Sequence, residues 1–134
     1  MKHILLVDDE PHVIRIMRLA LEKAGYHVGE AANGLQALDY LKDNSPDVVI
    51  TDIDMPRMNG RELCEEIVKT MPHRLFRIFV LTSRAEYEHR EWSTAIDNVG
   101  FMEKPVSIRR LLSALDTHFA STVTKGEKLC QSAR

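Results

Sequence analysis

Apolar residues fall along this chain in two alternating rhythms. Short unbroken runs, such as Ile4-Leu5-Leu6-Val7 and Val48-Val49-Ile50, recur between longer stretches where apolar positions return every three or four residues. Unbroken runs suit strands buried on both faces of a parallel sheet, and the wider spacing is that of amphipathic helices. The first run ends in Asp8-Asp9-Glu10. Pro11 then suits a first helical turn, and Val13, Ile16, Met17, Ala20 and Ala24 predict an apolar stripe that stops at Gly25. Residues 26–31 read as a weaker second strand, and Asn33 as the cap of a helix with Ala37, Leu38 and Leu41 inside. The third strand, residues 48–50, follows Ser45-Pro46. Leu63, Cys64, Ile67, Val68 and Met71 mark a third helix after Gly60, and residues 77–81 a fourth strand. A fourth helix is expected over about residues 85–97, and a short fifth strand over 100–102. Ser107 caps a last helix whose stripe is Ile108, Leu111, Leu112, Leu115 and Phe119.

Five strands alternating with five helices predict an α/β fold: a doubly wound, five-stranded parallel sheet with helices on both faces. Right-handed crossovers and the size of the chain favour the flavodoxin-like strand order 2-1-3-4-5. The pattern places one domain over residues 1–120. Residues 121–134 are polar and unpatterned and are expected to form a disordered tail.

Composition narrows the function. The 134 residues are 44% hydrophobic and 28% charged, as in a globular domain, and the net charge of −2 offers no single-signed surface for nucleic acid or a membrane. Cys64 and Cys130 match neither a zinc nor a redox spacing, so free thiols in a reducing cytoplasm are expected. The six histidines show no ligand spacing. No apolar run is long enough to span a membrane or serve as a signal peptide.

The candidate chemistry lies at the strand ends. With strands one and three adjacent, Asp8, Asp9 and Asp52 converge on one crevice at the carboxyl edge of the sheet. Carboxylates so close repel and raise one another's pKa, unless a hard divalent cation such as Mg2+ neutralises them. Thr82 and Lys104 reach the same edge from the next two strand ends. A metal ion, an ammonium and a hydroxyl are the parts that hold a phosphoryl group, and Asp52 is the carboxylate placed to attack it and form an aspartyl phosphate.

The motifs Val7-Asp8-Asp9-Glu10, Asp52-Ile53-Asp54-Met55-Pro56 with Met58-Asn59-Gly60, Leu81-Thr82-Ser83 and Lys104-Pro105 stand in order over about residues 3–120. In these the chain resembles the receiver domains of two-component response regulators, including the chemotaxis type. The resemblance implies a phosphorylation-activated switch rather than an enzyme, with only autocatalytic phosphoryl transfer and slow autodephosphorylation. It implies that Asp52 accepts phosphate from a histidine kinase or a histidine phosphotransfer protein. Asp9, Asp52 and the Asp54 backbone carbonyl would hold Mg2+, with Asp8 acting through water. Lys104 would contact the phosphate, and Thr82 and Phe101 would form the switch pair. The signal would pass through a changed surface of helix four, strand five and helix five to a downstream protein or output domain. The domain would be a monomer or a phosphorylation-dependent dimer. Phe101 lacks the polar tip commonest there, and residues 95–99 lack the glycine usual after the fourth helix, so Asn98 is expected to take the left-handed backbone instead. The alternative is a Mg2+-dependent phosphohydrolase of haloacid-dehalogenase type, since Asp52-Ile53-Asp54 also reads as its DxD signature. Against it, Pro56 stands where that family has Thr or Val, its DxD usually follows the first strand, and it needs a cap and a longer chain.

Overall fold

The computed structural model describes residues 2–83, 96, 98–104 and 107–132, with side chains as far as residue 120. Its strands are β1 (His3–Val7), β2 (His27–Ala31), β3 (Val48–Asp52), β4 (Arg77–Thr82) and β5 (Val99–Glu103). The helices are α1 (Pro11–Lys23), α2 (Gly34–Asp43), α3 (Gly60–Thr70) and α4 (Ile108–Ser132). Apart from Ile96, the helix expected over about residues 85–97 lies outside the described residues, as does Pro105 of the Lys-Pro motif, so α4 is the last of the five expected helices. It continues past Ala120 into the segment that the sequence assigns to a polar tail.

All four strand pairings are parallel and the order is β2-β1-β3-β4-β5, as expected. Side chains alternate across the sheet, so each apolar run feeds two cores. Leu5, Val7, Val49, Ile78 and Val80 pack with Ala37 and Leu41 of α2 and with Leu63, Cys64 and Ile67 of α3. Ile4, Leu6, Val48, Ile50 and Leu81 face the other way, onto Ile14, Met17 and Leu21 of α1 and Leu111 and Leu115 of α4. β3 is buried at every position, which is why it reads as a continuous apolar run and not as an alternation.

One stripe differs from expectation. On α1 the buried residues are Ile14, Met17 and Leu21, whereas Ile16 is 57% exposed and Ala24 is also outside. α1 carries apolar residues on two faces, and spacing alone does not say which one turns inward. Docking on the sheet decides it: Ile14, Met17 and Leu21 meet Ile4, Leu6, Val48 and Ile50. The punctuation was legible. Gly25 sits at φ +99 and Asn98 at φ +62, both in the left-handed region. Asn33 Oδ1 accepts from the Gln36 amide at the start of α2, and Ser107 Oγ from the Arg110 amide at the start of α4.

Candidate functional site

Parallel pairing brings every strand's carboxyl end to one edge. Asp8 and Asp9 follow β1, Asp52 closes β3, Thr82 closes β4 and Lys104 follows β5. Backbone hydrogen bonds hold these ends together: the Asp8 amide to the Ala31 carbonyl oxygen (3.1 Å), the Ile53 amide to that of Leu81 (3.1 Å), and the Lys104 amide to that of Thr82 (2.7 Å).

The structure assembles the expected carboxylates. Asp8, Asp9 and Asp52 each offer an oxygen within 4.8 Å of the others. Asp8 and Asp52 are buried and Asp9 is exposed. Asp52 Oδ1 accepts from the Ile53 amide at 2.9 Å and is paired with Lys104 Nζ. Asp8 Oδ1 accepts from the Glu10 amide at 2.9 Å, so each buried carboxylate is oriented by the backbone just after it. Burial pushes the Asp52 carboxyl above the usual aspartate range, over the opposing pull of Lys104 and the Ile53 amide. Burial likewise raises Asp8, and the charges of Asp52 and Asp9 add to it. Lys104 is lowered by its own burial, but its bond to Asp52 and the charges of Asp52, Asp8 and Asp54 outweigh this and raise it overall.

Thr82 is fully buried, and its hydroxyl donates to the Ser83 carbonyl oxygen at 3.1 Å. The β4–β5 register pairs Val80 with Phe101 and Thr82 with Glu103. Phe101 therefore lies on the sheet face that Val80 and Thr82 share, half-buried against the core that includes Val80. Asp54 is exposed on the loop after β3, and its charge is felt at both Asp52 and Lys104.

Reasoning from the sequence missed the parts that fix this loop. Gly60 opens α3 so close to β3 that an added Cβ would lie 2.6 Å from the Asp52 carbonyl oxygen and 2.8 Å from Ile53 Cα. The Gly60 amide bonds the Ile53 carbonyl oxygen at 2.8 Å. Asn59 and Glu62 form a reciprocal capping box around the same turn, with bonds of 2.8 and 3.1 Å. The Asn-x-x-Glu spacing at Asn59–Glu62 was the signal for the cap. Nothing local signalled the Gly60 contact, which depends on how α3 docks. Arg57, at φ +67, is a further non-glycine residue in the left-handed region of this loop.

Residues 4–116 match the model of the response regulator receiver domain family. The chain is 34% identical over 112 residues to the response regulator MprA of Mycobacterium sp. (strain KMS), a match covering 84% of this chain and 48% of MprA. It thus spans about half the length of that curated relative. It is 34% identical over 116 residues to the chemotaxis protein CheY of Thermotoga maritima, covering 86% of this chain and 95% of CheY. Among solved structures it resembles the response regulator protein TrrA of Thermotoga maritima in complex with Mg(2+)-BeF, at 32% identity and a TM-score of 0.75, over 87% of this chain and 98% of that one. The phosphohydrolase alternative gains no support from these matches.

Proposed function

Since the chain belongs to the response regulator receiver domain family, and is thus a phosphorylation-activated signalling switch, we propose that Asp52 takes the phosphoryl group from a histidine kinase or a histidine phosphotransfer protein. The observation that carries this reading is the holding of Asp52: a buried carboxylate, fixed by the Ile53 amide and Lys104, beside two further carboxylates. Oδ1 is engaged by both donors, which leaves Oδ2 as the attacking oxygen. It bonds to phosphorus as the phosphorus–nitrogen bond of the donor breaks, and the electron pair stays on the donor imidazole. Lys104 then exchanges the carboxylate for a phosphoryl oxygen. In slow self-dephosphorylation, water attacks the same phosphorus and returns the carboxylate and inorganic phosphate.

Three converging carboxylates with hard oxygen donors and one ammonium fit Mg2+, the cation of the TrrA complex. We assign its ligands to Asp9, Asp52 and the Asp54 backbone carbonyl, with Asp8 acting through water. When bound, Mg2+ supplies neutralising charge for the carboxylates and the phosphoryl oxygens.

The Thr82 hydroxyl, now turned to Ser83, must rotate to donate to the phosphoryl group. That movement gives Phe101 room on the shared face, and the surface of β5 and α4 changes for a downstream protein or output domain; apart from Ile96, the fourth helix of the expected relay surface lies outside the described residues. The reading includes a cytoplasmic location, in keeping with the free, buried thiol of Cys64, which burial pushes up to about 12. No helix among the described residues is long and apolar enough to cross a membrane.

The test is incubation with acetyl phosphate and Mg2+. One hydroxylamine-labile phosphoryl group is expected, lost in Asp52→Asn and retained in Asp54→Asn. Labelling that survives in Asp52→Asn overturns the assignment.

A further inference from the structure

At the amino edge of the sheet, opposite the acidic crevice, lies an open cavity of about 830 Å³ between β4, α4 and the start of β1. It is within the size range of small-molecule pockets. β4 separates the two sites: Arg77 begins it and Thr82 ends it, roughly 16 Å apart at the rise of an extended strand. Cations gather in the cavity wall. Lys2 Nζ lies 5.3 Å from the Phe119 ring centroid, and Arg77 Cζ lies 5.0 Å from that of Phe79. The His118 ring packs edge-on to Phe79, with centroids 6.3 Å apart, and beside Phe119 at 5.1 Å. Burial lowers the His118 pKa, and the Arg77 and Lys2 charges lower it further against Asp47. The cationic groups therefore share one electrostatic space.

Arg77 is held in place by features that surface packing alone does not call for. Its Nη1 donates to Asn98 Oδ1 at 3.0 Å, and Asn98 adopts φ +62. A Cβ at Gly100 would meet Arg77 Nη2 at 2.6 Å, so in its present position the guanidinium lies over the bare backbone of Gly100 in β5. Among the described residues no carboxylate pairs with Lys2 or Arg77. Asp47, the acid in the wall, has its Oδ2 engaged by the His3 amide at 2.8 Å, and its charge is also felt at His118. A half-buried guanidinium has donors to spare and suits a carboxylate or phosphate bound through two oxygens.

We propose that this cavity binds a small aromatic anion, its phosphate or carboxylate on Arg77 and Lys2 and its ring against the partly exposed Phe119. The site is separate from phosphoryl transfer and does not depend on the role given to Asp52.

Amide shift titrations without Mg2+, so that the acidic crevice repels anions, test this with phenyl phosphate, inorganic phosphate and phenol. Phenyl phosphate is expected to move Lys2, Arg77, Asn98, His118 and Phe119 saturably. Each of the other two probes should bind about tenfold more weakly or worse, because each lacks one half of the recognition. Arg77→Gln should weaken phenyl phosphate about tenfold with an unchanged melting temperature. Lys2→Gln, at an exposed position near the chain start, gives the second reading if Arg77→Gln is unstable. Shifts confined to residues around Asp8 and Asp52, equal affinity for the three probes, or wild-type binding by both variants would overturn the proposal.

Discussion

Replacing Asp8 with asparagine keeps the side chain's shape and the acceptor for the Glu10 amide, and removes one of two buried carboxylates. Carboxylate oxygens of Asp8, Asp9 and Asp52 lie within 4.8 Å of one another. At that distance two unit charges repel by about 3.5 kcal/mol if the effective dielectric is near 20. Lys104 offsets part of this, since its charge also reaches Asp8, which leaves a net penalty of roughly 1–2 kcal/mol per buried carboxylate. For a chain of this size that is roughly 3–10 °C in melting temperature. Asp8→Asn should therefore melt above wild type by that margin at neutral pH in a chelator.

The sign follows from linkage. Burial raises Asp8 above the ordinary value of 3.8, and Asp52 and Asp9 add to the rise. A carboxyl with a higher pKa folded than unfolded costs stability when ionised. That cost is absent below the unfolded value and complete above the folded one. The advantage of Asp8→Asn should then shrink as the pH falls towards 3.8. Mg2+ reverses the order: at a hundredfold excess over its dissociation constant, wild type should gain ~2.7 kcal/mol, and the variant less. Thermal melts over pH, with and without Mg2+, read all three effects. If Asp8→Asn is no more stable than wild type in chelator, or both respond equally to Mg2+, the repulsion argument fails.

Gly60→Ala should destabilise by about 1–3 kcal/mol, because its Cβ would press on the backbone of Asp52 and Ile53; it should also slow acetyl phosphate labelling, and denaturant melts with labelling rates check both. Asn59→Ala removes the capping box of α3 and should cost about 1 kcal/mol in the same melts. Lys104→Ala should retain Mg2+-dependent stabilisation, measured by melting, yet lose the amide shifts that phosphorylation produces at β5 and α4 in the wild type. Unchanged shifts in that variant would show that the ammonium does not read the phosphoryl group.

Much of the fold was written in local pattern. The runs at residues 4–7 and 48–50 named buried parallel strands because burial on both faces needs continuous apolarity. Gly25, Asn33, Asn98 and Ser107 marked their turns and caps because backbone sign and capping bonds are decided within a few residues. The carboxylates, Thr82 and Lys104 were also legible, since a parallel sheet brings every residue that follows a strand to one edge. What the sequence could not give was set by contacts between elements distant in the chain. Spacing allowed Ile16 an inward place on α1, and docking on the sheet chose Ile14 instead. Gly60 looked like a loop glycine until α3 came to rest against the Asp52 carbonyl. Arg77 read as the polar start of a strand; its fixed place over Phe79, Gly100 and Asn98 depends on β4–β5 pairing. Local propensity acts within a few residues, whereas the face a helix buries and the room a side chain finds are properties of packed neighbours.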